Sequence, residues 1–186
     1  MKVLILEACR SPEVKKGLTE SLALSQIFRD NGIEYELYSN DCIWENRVNL
    51  DESLIRNRLK QNSIDIVHLA LHGSDRGLIL KWSNSSDIRE RVPLSILSSS
   101  DIREIEEFRG TLVVSGACAS AQFANDFLAA GARAVVAPLV EIPWLKLGLF
   151  FRSFYLSYRR SRSAKDSLYK AIEDFPLYSC YHFFEN

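Results

Sequence analysis

The chain has 186 residues, of which 47% are hydrophobic, 11% aromatic and 25% charged, enough apolar content to bury one sizeable core and too much for a disordered chain. Its formal net charge of −1 excludes the strongly basic surface of a dedicated nucleic-acid binder. The apolar run Val3 to Leu6 is too short for a secretion signal, and Trp144 to Tyr158 is broken by Lys146 and Arg152, whereas a membrane span needs about 20 largely uncharged residues.

Those absences predict a cytoplasmic protein with no membrane or nucleic-acid partner. In chain order, Lys2 to Ala8 is a continuous apolar run and reads as a strand. Leu18, Leu22, Leu24, Ile27 and Phe28 then recur at helical spacing until Asn31-Gly32 stops the helix. Glu34 to Tyr38 alternates as a second strand, and Asn49-Leu50-Asp51 opens a helix that ends near Asn62-Ser63. Ile64 to Leu71 is nearly all apolar, as a central parallel strand covered on both faces requires.

Residues 77 to 97 read as an excursion from the main sheet, a hairpin with arms Leu78 to Trp82 and Arg91 to Leu94. Ser99 and Ser100 precede a short helix through Ile102, Ile105 and Phe108. Thr111 to Val114 is the next strand, Gln122 to Ala130 a helix stopped by Gly131, and Arg133 to Ala137 a further strand. Pro143 to Arg160 and Ala164 to Asp174 read as helices. The tail Tyr178 to Phe184 reads as a last strand, either buried on both faces or paired with a partner. With no repeat or linker, residues 1–186 are expected to form a single α/β domain, its sheet mostly parallel.

In open α/β sheets, functional groups collect beyond the carboxyl ends of the strands. Two such ends carry chemistry: His72-Gly73 and Gly116-Ala117-Cys118. Adjacent strands lie about 4.8 Å apart, so neighbouring strands would bring an imidazole and a thiol together. That pair suffices for nucleophilic catalysis, the imidazole managing the thiol proton while the thiolate attacks. Backbone N–H groups of Gly73 and Cys118 would form an oxyanion hole, since Gly73 places no Cβ in a substrate's way. The plainer alternative is that Cys118 is a small buried hydrophobe at a strand end.

The segments Ile66-Val67-His68-Leu69-Ala70-Leu71-His72-Gly73 and Leu112-Val113-Val114-Ser115-Gly116-Ala117-Cys118-Ala119-Ser120 resemble the His-Gly and Ala-Cys motifs of the caspase-like (clan CD) cysteine peptidases. Within that clan the chain is most similar to the CHAT group, a relative of separases and gingipains. The likeness continues through Phe127 to Ala137, Phe154-Tyr155 and Pro176 to Phe183. The separation of His72 from Cys118 is near the roughly 50 residues of the caspase signature. The resemblance implies a caspase-like sandwich, with helices on both faces of the sheet and a small accessory hairpin. It also implies a Cys118 nucleophile, a His72 general acid/base, no cofactor or metal, and a protein substrate.

Two departures from the CHAT pattern shape the expectations. Cys118 is followed almost at once by a helix, so the long activation loop of relatives is missing and control would come from binding, by a separate activator or sensor protein, or from substrate supply. Where relatives that cleave after basic residues resemble Leu-Trp-Asp-Val-x-Asp, this chain has Leu139-Val140-Glu141-Ile142-Pro143-Trp144, in which Glu141 matches the first acid and Trp144 stands in place of the second. Glu141 facing a cation would favour a basic residue before the scissile bond, and Arg10 would favour an acidic one. Asp75 would line the cleft or simply make a turn. The resemblance further suggests a regulated effector in bacterial signalling or antiviral defence.

His68 and His182 read as structural, and Cys9, Cys42 and Cys180 as ordinary thiols. The run Arg159, Arg160, Arg162 and Lys165 reads as a solvated helix end. Two other classes compete: a catalytically silent relative that binds peptide in the cleft or along the terminal strand, and a receiver-type domain whose acidic pocket Glu7 and Asp41 would supply only poorly.

Overall fold

The computed structural model describes residues 1–8, 20–40, 48–61, 63–83 and 92–186. Its centre is a six-stranded sheet in the order β2-β1-β3-β7-β8-β9. The strands are β1 (Lys2–Glu7), β2 (Glu34–Ser39), β3 (Ile66–Ala70), β7 (Leu112–Ser115), β8 (Ala134–Pro138) and β9 (Tyr181–Glu185). All adjacent pairs are parallel except β8 with β9. A second sheet holds the short β4 (His72–Ser74), β5 (Gly77–Trp82) and β6 (Pro93–Leu97), paired antiparallel.

The continuous apolar stretch expected of a central strand is β3, with every residue buried between β1 and β7. Because side chains alternate across a strand, the sheet divides its apolar residues into two cores. Leu4, Leu6, Val67, Leu69, Val113 and Val135 face one side. There they meet α2 (Glu52–Gln61), α3 (Ser99–Glu104) and α4 (Ala124–Ala129) through Ile55, Leu59, Ile102 and Phe127. Val3, Ile5, Ile66, Val114 and Val136 face the other side. They are covered by α1 (Glu20–Asp30), α5 (Leu147–Ser161) and α6 (Ala164–Asp174), through Leu24, Phe28, Phe150, Phe151, Phe154 and Leu168.

Several boundaries differ from the sequence reading. Ser98, not Ser99 or Ser100, caps α3: its hydroxyl accepts from Asp101 N–H while the Asp101 carboxylate accepts from Ser98 N–H, a reciprocal capping box. The helix expected from Gln122 begins instead as a 3-10 turn, Ser120–Phe123, which runs into α4. Helix α5 starts at Leu147, four residues later than the Pro143 start; 143–146 belong to a loop. The tail strand starts at Tyr181, after a 3-10 turn at Pro176–Tyr178. Only Tyr181 of its five residues is buried, so β9 is an edge strand paired to β8 and not one sealed on both faces.

Candidate active site

Strands β3 and β7 are parallel neighbours, with His68 opposite Val114 and Leu69 opposite Ser115. Their carboxyl ends therefore release the chain at the same edge of the sheet. Beyond β3 the chain enters β4, so His72 and Gly73 sit in a short strand of the accessory sheet and not at a plain strand end. Beyond β7, Gly116 N–H donates to the Leu69 carbonyl, Ala117 N–H to the Ser115 hydroxyl, and the turn delivers Cys118.

The two turns touch through Gly73. A Cβ added at Gly73 would collide with the Cys118 carbonyl oxygen and lie 3.0 Å from its carbonyl carbon and 3.3 Å from its nitrogen. A residue with a side chain would push the two segments apart. The absence of a Cβ thus brings the residue after His72 onto the Cys118 peptide. Gln122 strengthens the junction by donating its side-chain amide to the Ser74 carbonyl at 3.2 Å.

Cys118 is half-buried and not in a disulfide. Ile142 clasps its sulfur from the loop after β8: the Ile142 N–H donates to Sγ at 3.5 Å, and the Ile142 carbonyl accepts from Sγ at 3.9 Å. Ala119, the next residue, holds φ 50, a left-handed conformation that costs a non-glycine residue about 1–3 kcal/mol and clusters at functional sites. Its N–H donates to the Val140 carbonyl at 3.0 Å, which anchors the strained peptide to the same loop. Among the described residues no hydrogen bond is made by the Cys118 N–H.

The His72 ring meets Trp82 edge-on, with centroids 5.5 Å apart at 78°, an arrangement that restricts the imidazole. Trp82 and Ile142 were not among the site residues read from the sequence. Trp82 comes from β5 across the accessory sheet, and Ile142 acts only through backbone atoms, so neither leaves a mark in residue type or spacing.

The remaining sequence candidates that the structure describes differ in exposure. Glu141 is exposed, next to the Ile142 clasp. Asp75 is exposed in the β4–β5 turn, where Ser74 Oγ bridges the Gly77 carbonyl and the Arg76 N–H. Arg10, Cys9, Cys42 and Asp41 lie outside the described residues. Cys180 is half-buried and burial raises its thiol pKa. His182 is exposed on β9.

His68 is buried, and both ring nitrogens are used: Nε2 on Glu20 Oε1 at 2.5 Å and Nδ1 on the Tyr155 hydroxyl at 2.8 Å. A histidine with both nitrogens bonded to protein has none left for a metal. Among the described residues no three His, Cys, Asp or Glu side chains cluster as metal ligands, and no helix is long and apolar enough to cross a membrane.

The family model of the CHAT domain matches residues 3–175. The chain belongs to the CHAT domain family. CHAT domains are related to the caspase-like cysteine peptidases of clan CD, and the mostly parallel sheet between two helical layers, with its small antiparallel sheet, is consistent with the caspase-like fold. No curated protein matches the chain.

Proposed function

We propose that this CHAT domain is a cysteine endopeptidase acting through Cys118 and His72. The observation that carries the reading is the contact of Gly73 with the Cys118 peptide, which joins the two motif-bearing turns into one cleft edge. The Cys118 thiolate attacks the scissile carbonyl, and the developing oxyanion is held by the N–H groups of Gly73 and Cys118. His72 gives the proton taken from the thiol to the leaving amine as the C–N bond breaks, leaving a thioester. A water molecule then attacks the thioester, His72 accepts its proton and returns it to sulfur, and the carboxylic acid product leaves.

The substrate in this reading is a protein, and no cofactor takes part. The 3-10 turn directly after Ala119 leaves no long segment there to be cut, which supports control by a separate activator or by substrate supply, and the resemblance to the CHAT group suggests the role of a regulated effector in bacterial signalling or antiviral defence. Glu141, Asp75 and Arg10 are the candidate specificity residues: Glu141 for a basic residue before the scissile bond, Arg10 for an acidic one. A second reading, a silent peptide-binding module, draws support from the exposed apolar residues Leu139, Val140, Trp144 and Leu145 in the segment that carries Ile142 and from the edge strand β9.

A fluorogenic peptide library scanned at the residue before the scissile bond, run with the wild type and C118A, tests the proposal. Cleavage that depends on Cys118 is expected. A folded protein that cleaves nothing and whose Cys118 resists iodoacetamide would establish the binding module instead.

A further inference from the structure

Gly116 lies two residues before Cys118, and its backbone is not in the left-handed region, so an ordinary side chain would fit its conformation. A Cβ there would collide with both carboxylate oxygens of Glu20, so the Glu20 side chain would have to move. Glu20, the first residue of α1, thus fills the volume that a side chain at 116 would take. Its side chain is 11% exposed, and it is fixed from two further elements. His68 of β3 pairs Nε2 with Glu20 Oε1, and Tyr155 of α5 pairs its hydroxyl with His68 Nδ1. Burial, then the Glu20 charge, holds the Tyr155 hydroxyl well above its ordinary pKa, so it remains a donor. Phe151 meets the His68 ring edge-on at 4.7 Å and closes the apolar wall around it.

Stability alone does not account for such a chain of polar groups. Apolar residues of similar volume in a core commonly serve as well or better than a buried ionisable pair. What this chain does, and an apolar cluster would not, is pin one carboxylate against the peptide that turns from β7 into the nucleophile loop. We propose that Glu20, locked by His68 and Tyr155, is a positioning residue for Cys118. It acts by limiting the excursions of Gly116-Ala117-Cys118 from the geometry in which the sulfur meets Ile142 and the Cys118 peptide meets the Gly73 backbone. The inference rests on Cys118 being the reactive thiol, and its test is read in thiol chemistry as well as in peptide cleavage.

The rate of iodoacetamide alkylation at Cys118, followed by peptide mass analysis, is measured for the full chain alongside kcat and KM. E20A and G116A are each expected to slow alkylation and lower kcat by about 10-fold or more, the scale of a sub-ångström to 1 Å misplacement, with KM little changed. E20Q keeps the volume and the acceptor for His68, and is expected to retain both rates. Because E20A and G116A break one contact, the double variant should be no worse than the poorer single one. Wild-type alkylation and kcat in folded E20A would overturn the proposal, as would defects that multiply in the double variant. A loss confined to KM for peptides with Lys or Arg before the scissile bond would overturn it too, making Glu20 a substrate-binding acid. Should E20A not fold, G116A decides by the same two rates. A wild type that is alkylated normally but cleaves no peptide would sink the peptidase reading and leave the alkylation comparison standing.

Discussion

The two faces of the central sheet are built from different materials. The face under α2, α3 and α4 is mostly Leu, Ile, Val and Ala, with Phe108, Phe123 and Phe127 among them. The face under α1, α5 and α6 carries Phe28, Phe150, Phe151, Phe154, Tyr155, Tyr158, Tyr178 and Tyr181. Only this aromatic face contains the His68–Glu20–Tyr155 chain. The difference teaches that one side is a packing surface, whereas the other combines packing with polar groups placed beneath the turn that carries Cys118. Tyrosine suits that task, since it buries a large apolar ring and still offers one hydroxyl to a network. Tyr178 shows the same use, donating to the carbonyls of Pro143 and Leu145 and so tying the loop that holds Ile142.

The largest effect should come where both faces end, at the cleft. C118A and H72A are each expected to abolish peptide cleavage, by about 10³-fold or more, with an unchanged thermal midpoint. Residual cleavage within tenfold of wild type in C118A would remove the site from this edge. Next comes the aliphatic face, where F127A should cost about 3–5 kcal/mol in denaturant unfolding. The folded fraction should keep its Cys118 alkylation rate, because that face only packs. A large change in that rate would erase the functional contrast between the faces.

Alkaline pH should act most on the aromatic face. Burial, followed by the Glu20 charge, pushes the Tyr178 hydroxyl from 10.0 up to about 12, and the same causes in the same order raise Tyr155 and Tyr181 well above their ordinary value. The folded state then holds protons that the unfolded chain has lost. Stability is therefore complete below pH 10 and falls as the pH rises toward about 12. Tyrosinate absorbance that tracks unfolding would agree, and full ionisation in a folded chain at pH 10.5 would not. Smallest, Y155F leaves His68 Nδ1 without its partner and should cost about 1–3 kcal/mol. An unchanged denaturation midpoint would show that the hydroxyl contributes nothing to the network.

Much of the site was legible in the sequence because its chemistry depends on residue type. An imidazole and a thiol at the ends of two apolar strands can be read before any strand is paired, and the buried β3 announces itself by composition. The Glu20–His68 contact was not legible. His68 reads as a structural histidine, and it is one in being fully bonded, yet its partners come from positions 20 and 155. Ile142 was invisible for a related reason, since a backbone N–H carries no signature of side-chain identity.

By itself, then, the sequence determined the α/β alternation, the central strand, the His72 and Cys118 strand ends and the likeness to the CHAT group, because periodicity and residue chemistry are local properties. Only the tertiary structure decided that Gly73 rests on the Cys118 peptide, that Ile142 clasps the sulfur, and that Glu20 takes the space beside Gly116. Those are contacts between residues distant in the chain. Close packing, which leaves no room for a Cβ at either glycine, fixes them, and no local pattern in the chain encodes that room.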